Sequence, residues 1–207
     1  MVIIHHLNNS RSQRILWLLE ELATPYQIRF YQRDATTNLA PSGLKDIHPL
    51  GKSPVIEDGE IKIAESGAIV DYLIRTYGKG RFAPAPAGPD HETYLEWLHY
   101  AEGSAMLPLM LQLYTMRLGE AAAPLKPRIQ GEIDNNLAYI EATVAGRDYL
   151  MSQGFTGADV QLSFVGEVAR AFDKLGAFPG VRAWVERLHA RPAFKASLEK
   201  GGVYNLA

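Results

Sequence analysis

Pro54 stands at the beginning of an apolar, strand-like segment, within the stretch GKSPVIEDGEIKIAES that runs from Gly51 to Ser66. Proline has no backbone N–H to give to a neighbouring strand, so in sheets it is confined to edges, bulges and first positions. It also drives the preceding residue into an extended conformation. The stretch therefore predicts a strand that starts abruptly and continues into a hairpin, since Asp58-Gly59 is a favoured two-residue hairpin turn.

The segments before and after this hairpin alternate between strand and helix. Residues 2–7 (VIIHHL) are rich in branched apolar residues and predict a buried strand. Apolar residues then recur at helical spacing after Ser10, the candidate N-cap, and YQIRFYQ predicts a second strand. A short irregular helix is expected near residues 37–47, and a longer one begins near Ser66. The predicted order within residues 1–78 is β-α-β-α-β-β-α, with the first two strands parallel.

A segment rich in Gly, Pro and Ala at residues 79–90 predicts a linker, and all that follows predicts helix. A long helix should bend at Pro108, and a second should span about residues 127–145. Thr156 and Asp159 have the spacing of a capping box, which predicts a buried helix start. Shorter helices are expected near residues 180–190 and 192–199.

Composition excludes several classes of function. The chain has 207 residues, a net charge of −2 and 47% hydrophobic residues, with no run of Lys or Arg that would follow a nucleic-acid backbone. No apolar stretch is long enough to span a bilayer and no signal core begins the chain, so we expect a cytoplasmic protein with no membrane partner.

The sequence contains no cysteine. This excludes disulfides, thiolate metal sites and a cysteine nucleophile, so any thiol chemistry must use a thiol from outside the chain. His5 and His6 are adjacent on a predicted strand and point to opposite faces, so they cannot share one metal ion. We therefore predict no metal site.

The element order and two motifs resemble the glutathione transferase superfamily over nearly the whole chain. HPLGKSPVI is similar to the loop before the family's cis-proline, and AESGAIVDYL is similar to its Glu-Ser helix start. SRSQRILWLLEEL and HYAEGSAMLP resemble a serine-type bacterial and fungal branch. The resemblance implies an α/β thioredoxin-like glutathione-binding domain at residues 1–78, a linker at 79–90, and an all-α helical domain at 91–207 that forms a hydrophobic substrate site.

The resemblance also implies a site and an activity. Ser10 would donate a hydrogen bond to the thiolate of glutathione, which attacks a small hydrophobic electrophile or a hydroperoxide. The implied glutathione-binding residues are Arg11, His48, Lys52, Ser53, Pro54, Glu65 and Ser66. Candidates for the hydrophobic site are Met106, Leu107, Met110 and Tyr114. Glutathione is the implied co-substrate, and a homodimer is the implied assembly.

Other interpretations stay open at this point. Taken singly, Ser10 and Ser66 are ordinary helix caps, and an apolar helix stripe is more often core than substrate site. Arg14 is as much a structural ion-pair partner as a ligand contact. A glutathione-dependent disulfide reductase and a non-catalytic interaction protein with the same fold are the alternatives. The sequence does not identify the electrophile, nor whether Asn9 shares the role of Ser10.

Overall fold

The computed structural model describes residues 1–207, which form two compact units. Met1–Ala83 and His189–Ala207 make up the first, called the N-terminal unit below, and Pro84–Leu188 make up the second, called the helical unit. None of the helices combines the length and the apolar composition that a bilayer-spanning segment needs.

The N-terminal unit is built on a mixed four-stranded sheet. Its elements are β1 (Val2–Leu7), α1 (Ser12–Leu22), β2 (Tyr26–Tyr31), α2 (Leu44–Ile47), β3 (Val55–Asp58), β4 (Ile61–Ala64), α3 (Ser66–Tyr77) and α9 (Pro192–Gly201). The strand order is β2-β1-β3-β4. β1 is parallel to β2, and β3 is antiparallel to both β1 and β4. The predicted β-α-β-α-β-β-α order and the parallel first pair are confirmed.

The hairpin turn differs by one residue from the prediction. Asp58 pairs with Ile61, so the two-residue loop is Gly59-Glu60 and not Asp58-Gly59. Gly59 adopts a positive φ of 61°, which glycine tolerates without steric cost. Asp58 stays in the strand because its carboxylate accepts hydrogen bonds from the Tyr72 and Tyr77 hydroxyls.

The helical unit contains the remaining elements, which the sequence predicted as helix throughout. They are α4 (Pro89–Tyr100), a π-helical segment (Ala101–Ala105), α5 (Met106–Thr115), a 3₁₀ segment (Met116–Ala122), α6 (Lys126–Val144), α7 (Gly157–Ala171) and most of α8 (Pro179–Ala190). A bend was expected at Pro108, and the structure has a π-helical segment just before this residue. Proline removes the bond to the carbonyl four residues earlier and crowds it, and that residue, Ser104, lies within the segment.

The predicted capping box at the start of α7 is confirmed. The Asp159 carboxylate accepts the Thr156 N–H at 2.9 Å, and the Thr156 hydroxyl accepts the Ala158 N–H at 3.2 Å. Asp159 also accepts from the Leu150 N–H and from the Trp184 indole, each at 3.0 Å. The helix start is thus fully occupied by protein groups.

The last helix, α9, packs on α1 within the N-terminal unit, although the sequence placed residues 91–207 together in the helical domain. The Trp17 and Phe194 rings meet edge to face with centroids 5.4 Å apart, and Gln13 Nε2 donates to Ser197 Oγ at 3.0 Å. Gly201 permits the close approach, because a Cβ there would lie 2.7 Å from the Gln13 amide oxygen. These contacts join residues too distant along the chain for any local pattern to indicate.

Candidate functional site

Ser10 lies in the turn between β1 and α1. The first residue assigned to the helix is Ser12 and the residue before it is Arg11, but the capping hydrogen bond predicted for Ser10 is present. Arg11 has helical backbone angles and makes no side-chain cap. Ser10 Oγ still accepts the Ser12 N–H at 3.2 Å, which satisfies one of the first-turn donors. Its hydroxyl is therefore held at the N-terminus of α1, where partial positive charge favours an anion.

A chain of buried polar groups extends inward from Ser10. Ser10 Oγ is 2.9 Å from Ser12 Oγ, and Ser12 Oγ is 2.8 Å from His6 Nδ1. His6 Nε2 is 3.0 Å from the carbonyl oxygen of Gly201, at the end of α9. Burial lowers the pKa of His6 to about 4, so the ring is neutral at neutral pH. Sequence reasoning assigned no role in the site to Ser12 or His6; the Ser-x-Ser spacing was the only local signal for Ser12.

The turn itself is fixed from two sides. Asn9 has a φ of 51°, its side-chain oxygen accepts the Asn205 N–H at 2.7 Å, and its carbonyl accepts from Arg33 at 3.1 Å. Burial and the nearby charge of Arg11 lower the pKa of Arg33, but a guanidinium remains charged at neutral pH. Two cations therefore lie close to the turn that carries Ser10, and sequence reasoning had missed Arg33.

Ser53 ties the proline loop to β1. The Ser53–Pro54 peptide bond is cis, as the resemblance implied. Ser53 Oγ donates to the His5 carbonyl at 2.8 Å and accepts the Leu7 N–H at 3.2 Å. The same Leu7 N–H also reaches Ser12 Oγ at 3.2 Å. One backbone donor thus joins the loop before Pro54 to the hydroxyl that contacts Ser10.

The start of α3 is the third part of the site. Ser66 is the first residue of the helix, and the preceding Glu65 makes no side-chain cap. Glu65 has φ 66° and ψ 111°, a sparsely populated region for a residue with a side chain. Ser66 is buried and its hydroxyl accepts a hydrogen bond from buried Arg14, so the Arg14 side chain contacts the start of α3. The first-turn N–H groups of an uncapped helix are the usual place for an anion.

The other predicted glutathione-binding residues lie on nearby parts of the same unit. Lys52 is exposed, immediately before Ser53. His48 is half-buried, and its Nδ1 accepts the Leu50 N–H at 3.4 Å. Arg11 is half-buried at the N-cap of α1. No cluster of three or more His, Asp or Glu side chains is arranged to hold a metal ion.

The candidates for the hydrophobic site do not share one exposed face of α5. Met106 is buried in the helical unit, Met110 is half-buried, and Leu107 and Tyr114 are exposed. Leu107 lines an open cavity of about 620 Å³ whose walls come from the π-helical segment, α5 and α6. Met106 therefore belongs to the core, whereas Leu107 is available to a ligand.

Comparison with known proteins gives consistent matches along the chain. Residues 2–75 match the family model "Glutathione S-transferase, N-terminal domain" and residues 97–192 match "Glutathione S-transferase, C-terminal domain". Glutathione S-transferase 3 of Schizosaccharomyces pombe is 32% identical, over 97% of this chain and 88% of the relative. Glutathione S-transferase 1 of Saccharomyces cerevisiae is 30% identical, over 97% and 95%. A solved glutathione S-transferase from Actinobacillus pleuropneumoniae superposes with a TM-score of 0.90 at 30% identity, over 100% of this chain and 95% of that one.

Proposed function

Because this chain belongs to the glutathione S-transferase family and is an enzyme that uses glutathione as co-substrate, we propose that Ser10 holds the glutathione sulfur as a thiolate. One observation carries the proposal: the Leu7 N–H joins the Ser12 hydroxyl, which contacts Ser10, to the Ser53 loop. Two of the elements that the family resemblance assigns to glutathione are thus held in one hydrogen-bonded unit.

The energy required is within what Ser10 can supply. Lowering a thiol pKa by about two units from about 8.5 takes roughly 2.7 kcal/mol. A hydrogen bond to a charged group contributes about 1.5–3 kcal/mol, and a helix N-terminus adds about 0.3–1 kcal/mol. Ser10 at the N-terminus of α1 offers both, and the Arg11 and Arg33 charges add to the field that favours an anion. No side-chain base is needed to form the thiolate.

The rest of glutathione also finds complementary groups. The uncapped start of α3, with the Ser66 hydroxyl, suits the γ-glutamyl carboxylate, and exposed Glu65 suits the ammonium group. Backbone groups of Ser53, beside Pro54, would pair with the cysteinyl part. Lys52 would bind the glycyl carboxylate, with Arg11 and His48 as further donors. The strained backbone of Glu65 supports a functional role, because such strain is concentrated at binding sites.

The reaction we propose is attack of the thiolate on a small hydrophobic electrophile or a hydroperoxide. Leu107, Met110 and Tyr114 would contribute apolar contacts from α5, with Met106 supporting them from the core. From the family resemblance we also propose a homodimer located in the cytoplasm. Conjugation is the first activity to measure, because an aryl halide needs only the activated thiolate.

The test is a titration of the purified protein with glutathione, followed through the ultraviolet difference band of thiolate. We expect the band at neutral pH in the wild type, and we expect Ser10→Ala to bind glutathione within a few-fold of wild type but to lose the band. Asn9→Gly is the matched variant, because glycine tolerates the positive φ at that position. A full band in Ser10→Ala, or its loss in Asn9→Gly alone, would move the role away from Ser10.

A further inference from the structure

The buried chain Ser10–Ser12–His6–Gly201, called the hydroxyl chain below, has a direction that can be worked out. The carbonyl of Gly201 can only accept, so His6 Nε2 carries the hydrogen in that 3.0 Å contact. A neutral imidazole has one N–H, and so Nδ1 of His6 is an acceptor. The 2.8 Å contact from Ser12 Oγ to Nδ1 must then be a hydrogen bond donated by Ser12.

The direction at Ser12 fixes the direction at Ser10. A serine hydroxyl has a single hydrogen, and two acceptors lie within reach of that of Ser12: His6 Nδ1 at 2.8 Å and the Leu7 carbonyl oxygen at 3.1 Å. With either acceptor, Ser12 Oγ accepts from its other neighbours, which are the Leu7 N–H at 3.2 Å and the Ser10 hydroxyl at 2.9 Å. Without a ligand, the Ser10 hydrogen points inward to Ser12.

This arrangement sets up a competition. The Ser10 oxygen keeps a lone pair that can accept the S–H of bound glutathione, so the protonated thiol fits the hydroxyl chain as it stands. The thiolate instead needs the Ser10 hydrogen, which must turn away from Ser12. Ser10 Oγ stays anchored during that rotation, because the backbone N–H of Ser12 still donates to it at 3.2 Å.

We propose that Ser12 and His6 are positioning residues that direct the hydroxyl hydrogen of Ser10 and so limit the acidity of the bound glutathione thiol. The proposal rests on the assignment of Ser10 as the thiolate-binding hydroxyl. Gly201 takes part in this arrangement, because its carbonyl selects the His6 tautomer. Gly201 itself lies close to Gln13 on α1. The end of the last helix thereby acts on the acidity of the thiol.

The first test needs no substitution. Nitrogen NMR of the His6 ring reports which nitrogen carries the hydrogen, in the free protein and with glutathione bound. We expect a neutral ring protonated at Nε2 in both states. A ring protonated at Nδ1 would reverse the direction of the hydroxyl chain and overturn the proposal.

The second test separates the two arms of the imidazole. In His6→Gln the amide nitrogen can occupy the position of Nε2 and donate to Gly201, and no acceptor remains at the position of Nδ1. In His6→Asn the amide oxygen can occupy the position of Nδ1 and accept from Ser12. His5→Asn changes the neighbouring histidine, whose Nδ1 contacts the Tyr31 hydroxyl instead, and serves as the control. The readout is the pKa of bound glutathione, from the thiolate band recorded against pH.

We expect Ser12→Ala, which removes the acceptor that competes for the Ser10 hydrogen, to raise the ratio of thiolate to thiol by about threefold to tenfold below the pKa, the range of one neutral hydrogen bond. His6→Gln should act in the same direction but less, because the Leu7 carbonyl, 3.1 Å from Ser12 Oγ, can accept the Ser12 hydrogen instead. His6→Asn and His5→Asn should stay within about twofold of wild type. A purely structural role predicts lower stability with an unchanged or smaller thiolate fraction, and that result would overturn the proposal.

Ser10→Ala in the same assay distinguishes a failure of the proposed function from a failure of the role proposed for Ser12 and His6. If Ser10→Ala keeps the band, the proposed function fails and the hydroxyl chain has no thiolate to act on. If Ser10→Ala loses the band while His6→Gln and Ser12→Ala do not increase it, only the present inference fails. Should either variant fail to fold, the NMR measurement on the wild type decides.

Discussion

The starts of α7 and α3 are built in opposite ways. At α7, Thr156 and Asp159 cap the first turn, and the Trp184 indole donates to the same carboxylate. At α3, Glu65 lies in strained backbone and provides no cap. The difference shows how one structural feature can serve two purposes: a helix start capped by its own side chains stabilises the fold, and one without a cap leaves its N–H groups for the ligand carboxylate that we propose there.

The largest expected effect comes from removing the cap at the start of α7. Asp159→Ala should lower the free energy of unfolding by roughly 3–5 kcal/mol, because several buried donors, including those of Leu150 and Trp184, lose their acceptor. Urea denaturation measures the loss. Asp159→Asn keeps one of the two acceptor oxygens, so it should lower the free energy of unfolding by less than Asp159→Ala does. Equal losses in the two variants would contradict this account. Below the unfolding transition, glutathione affinity should stay within about twofold.

Low pH should change the stability contributions of the α7 start and of the hydroxyl chain in opposite directions. Burial lowers the pKa of His6 to about 4 in the folded protein, whereas the unfolded imidazole is protonated at a higher pH. The free energy of unfolding therefore falls as the pH drops from about 6.5 to about 4. The loss reaches about 3 kcal/mol. Burial raises the pKa of Asp159, so its contribution changes in the opposite direction and favours the folded state in acid.

Denaturation at pH 7 and at pH 4.5 checks both signs. His6→Gln should reduce the acid-induced loss of unfolding free energy, and Asp159→Asn should increase it. An acid-induced loss that is equal in wild type and His6→Gln would show that other groups control the pH dependence.

A smaller effect on the free energy of unfolding should follow from removing the backbone strain at the start of α3. Glu65→Gly removes the strain of a side chain at φ 66° and should stabilise the protein by about 1 kcal/mol, while glutathione binding weakens because the carboxylate is lost. Glu65→Gln is the matched variant: it should weaken glutathione binding similarly but leave the unfolding free energy unchanged. Calorimetric titration and urea denaturation measure the two quantities. Unchanged affinity in both variants would separate Glu65 from the site.

The smallest effect on stability is expected at Lys52. This side chain is exposed, so Lys52→Ala should change the unfolding free energy by less than about 0.5 kcal/mol. Glutathione affinity should fall about fivefold at low salt and less at high salt, since an exposed charge pair is screened. Lys195→Ala, an exposed lysine on α9, should leave affinity unchanged. An equal loss in both variants would indicate a general charge effect.

What the sequence predicted correctly was local or came from the order of elements. The capping box is a pattern of neighbouring side chains, and Thr156 and Asp159 suffice to define it. The β-α-β start and the hairpin followed from periodicity and from Pro54. The capping bond of α1 was also a local prediction: Ser10 Oγ accepts the Ser12 N–H, although the first residue assigned to the helix is Ser12.

The parts that the sequence did not indicate depend on contacts between distant residues. His6 and Gly201 are separated by 195 residues, and Asn9 and Asn205 by 196. No periodicity or spacing joins such pairs. Arg33 was missed because its role is to bind carbonyl groups of the turn, which no motif encodes. The sequence alone thus predicted Ser10 as the thiolate-binding hydroxyl but did not indicate the groups that hold Ser10 in place.

The packing of α9 on α1 also governs when the N-terminal unit can be completed during synthesis. Glu21 pairs with Arg191 and Glu20 with Lys200, so partners made early wait for partners made 170 and 180 residues later. The whole helical unit leaves the ribosome in that interval. The strands and α1 must therefore remain without α9 while the helical unit is synthesised. His6 gains its Gly201 contact only after residue 201 has emerged.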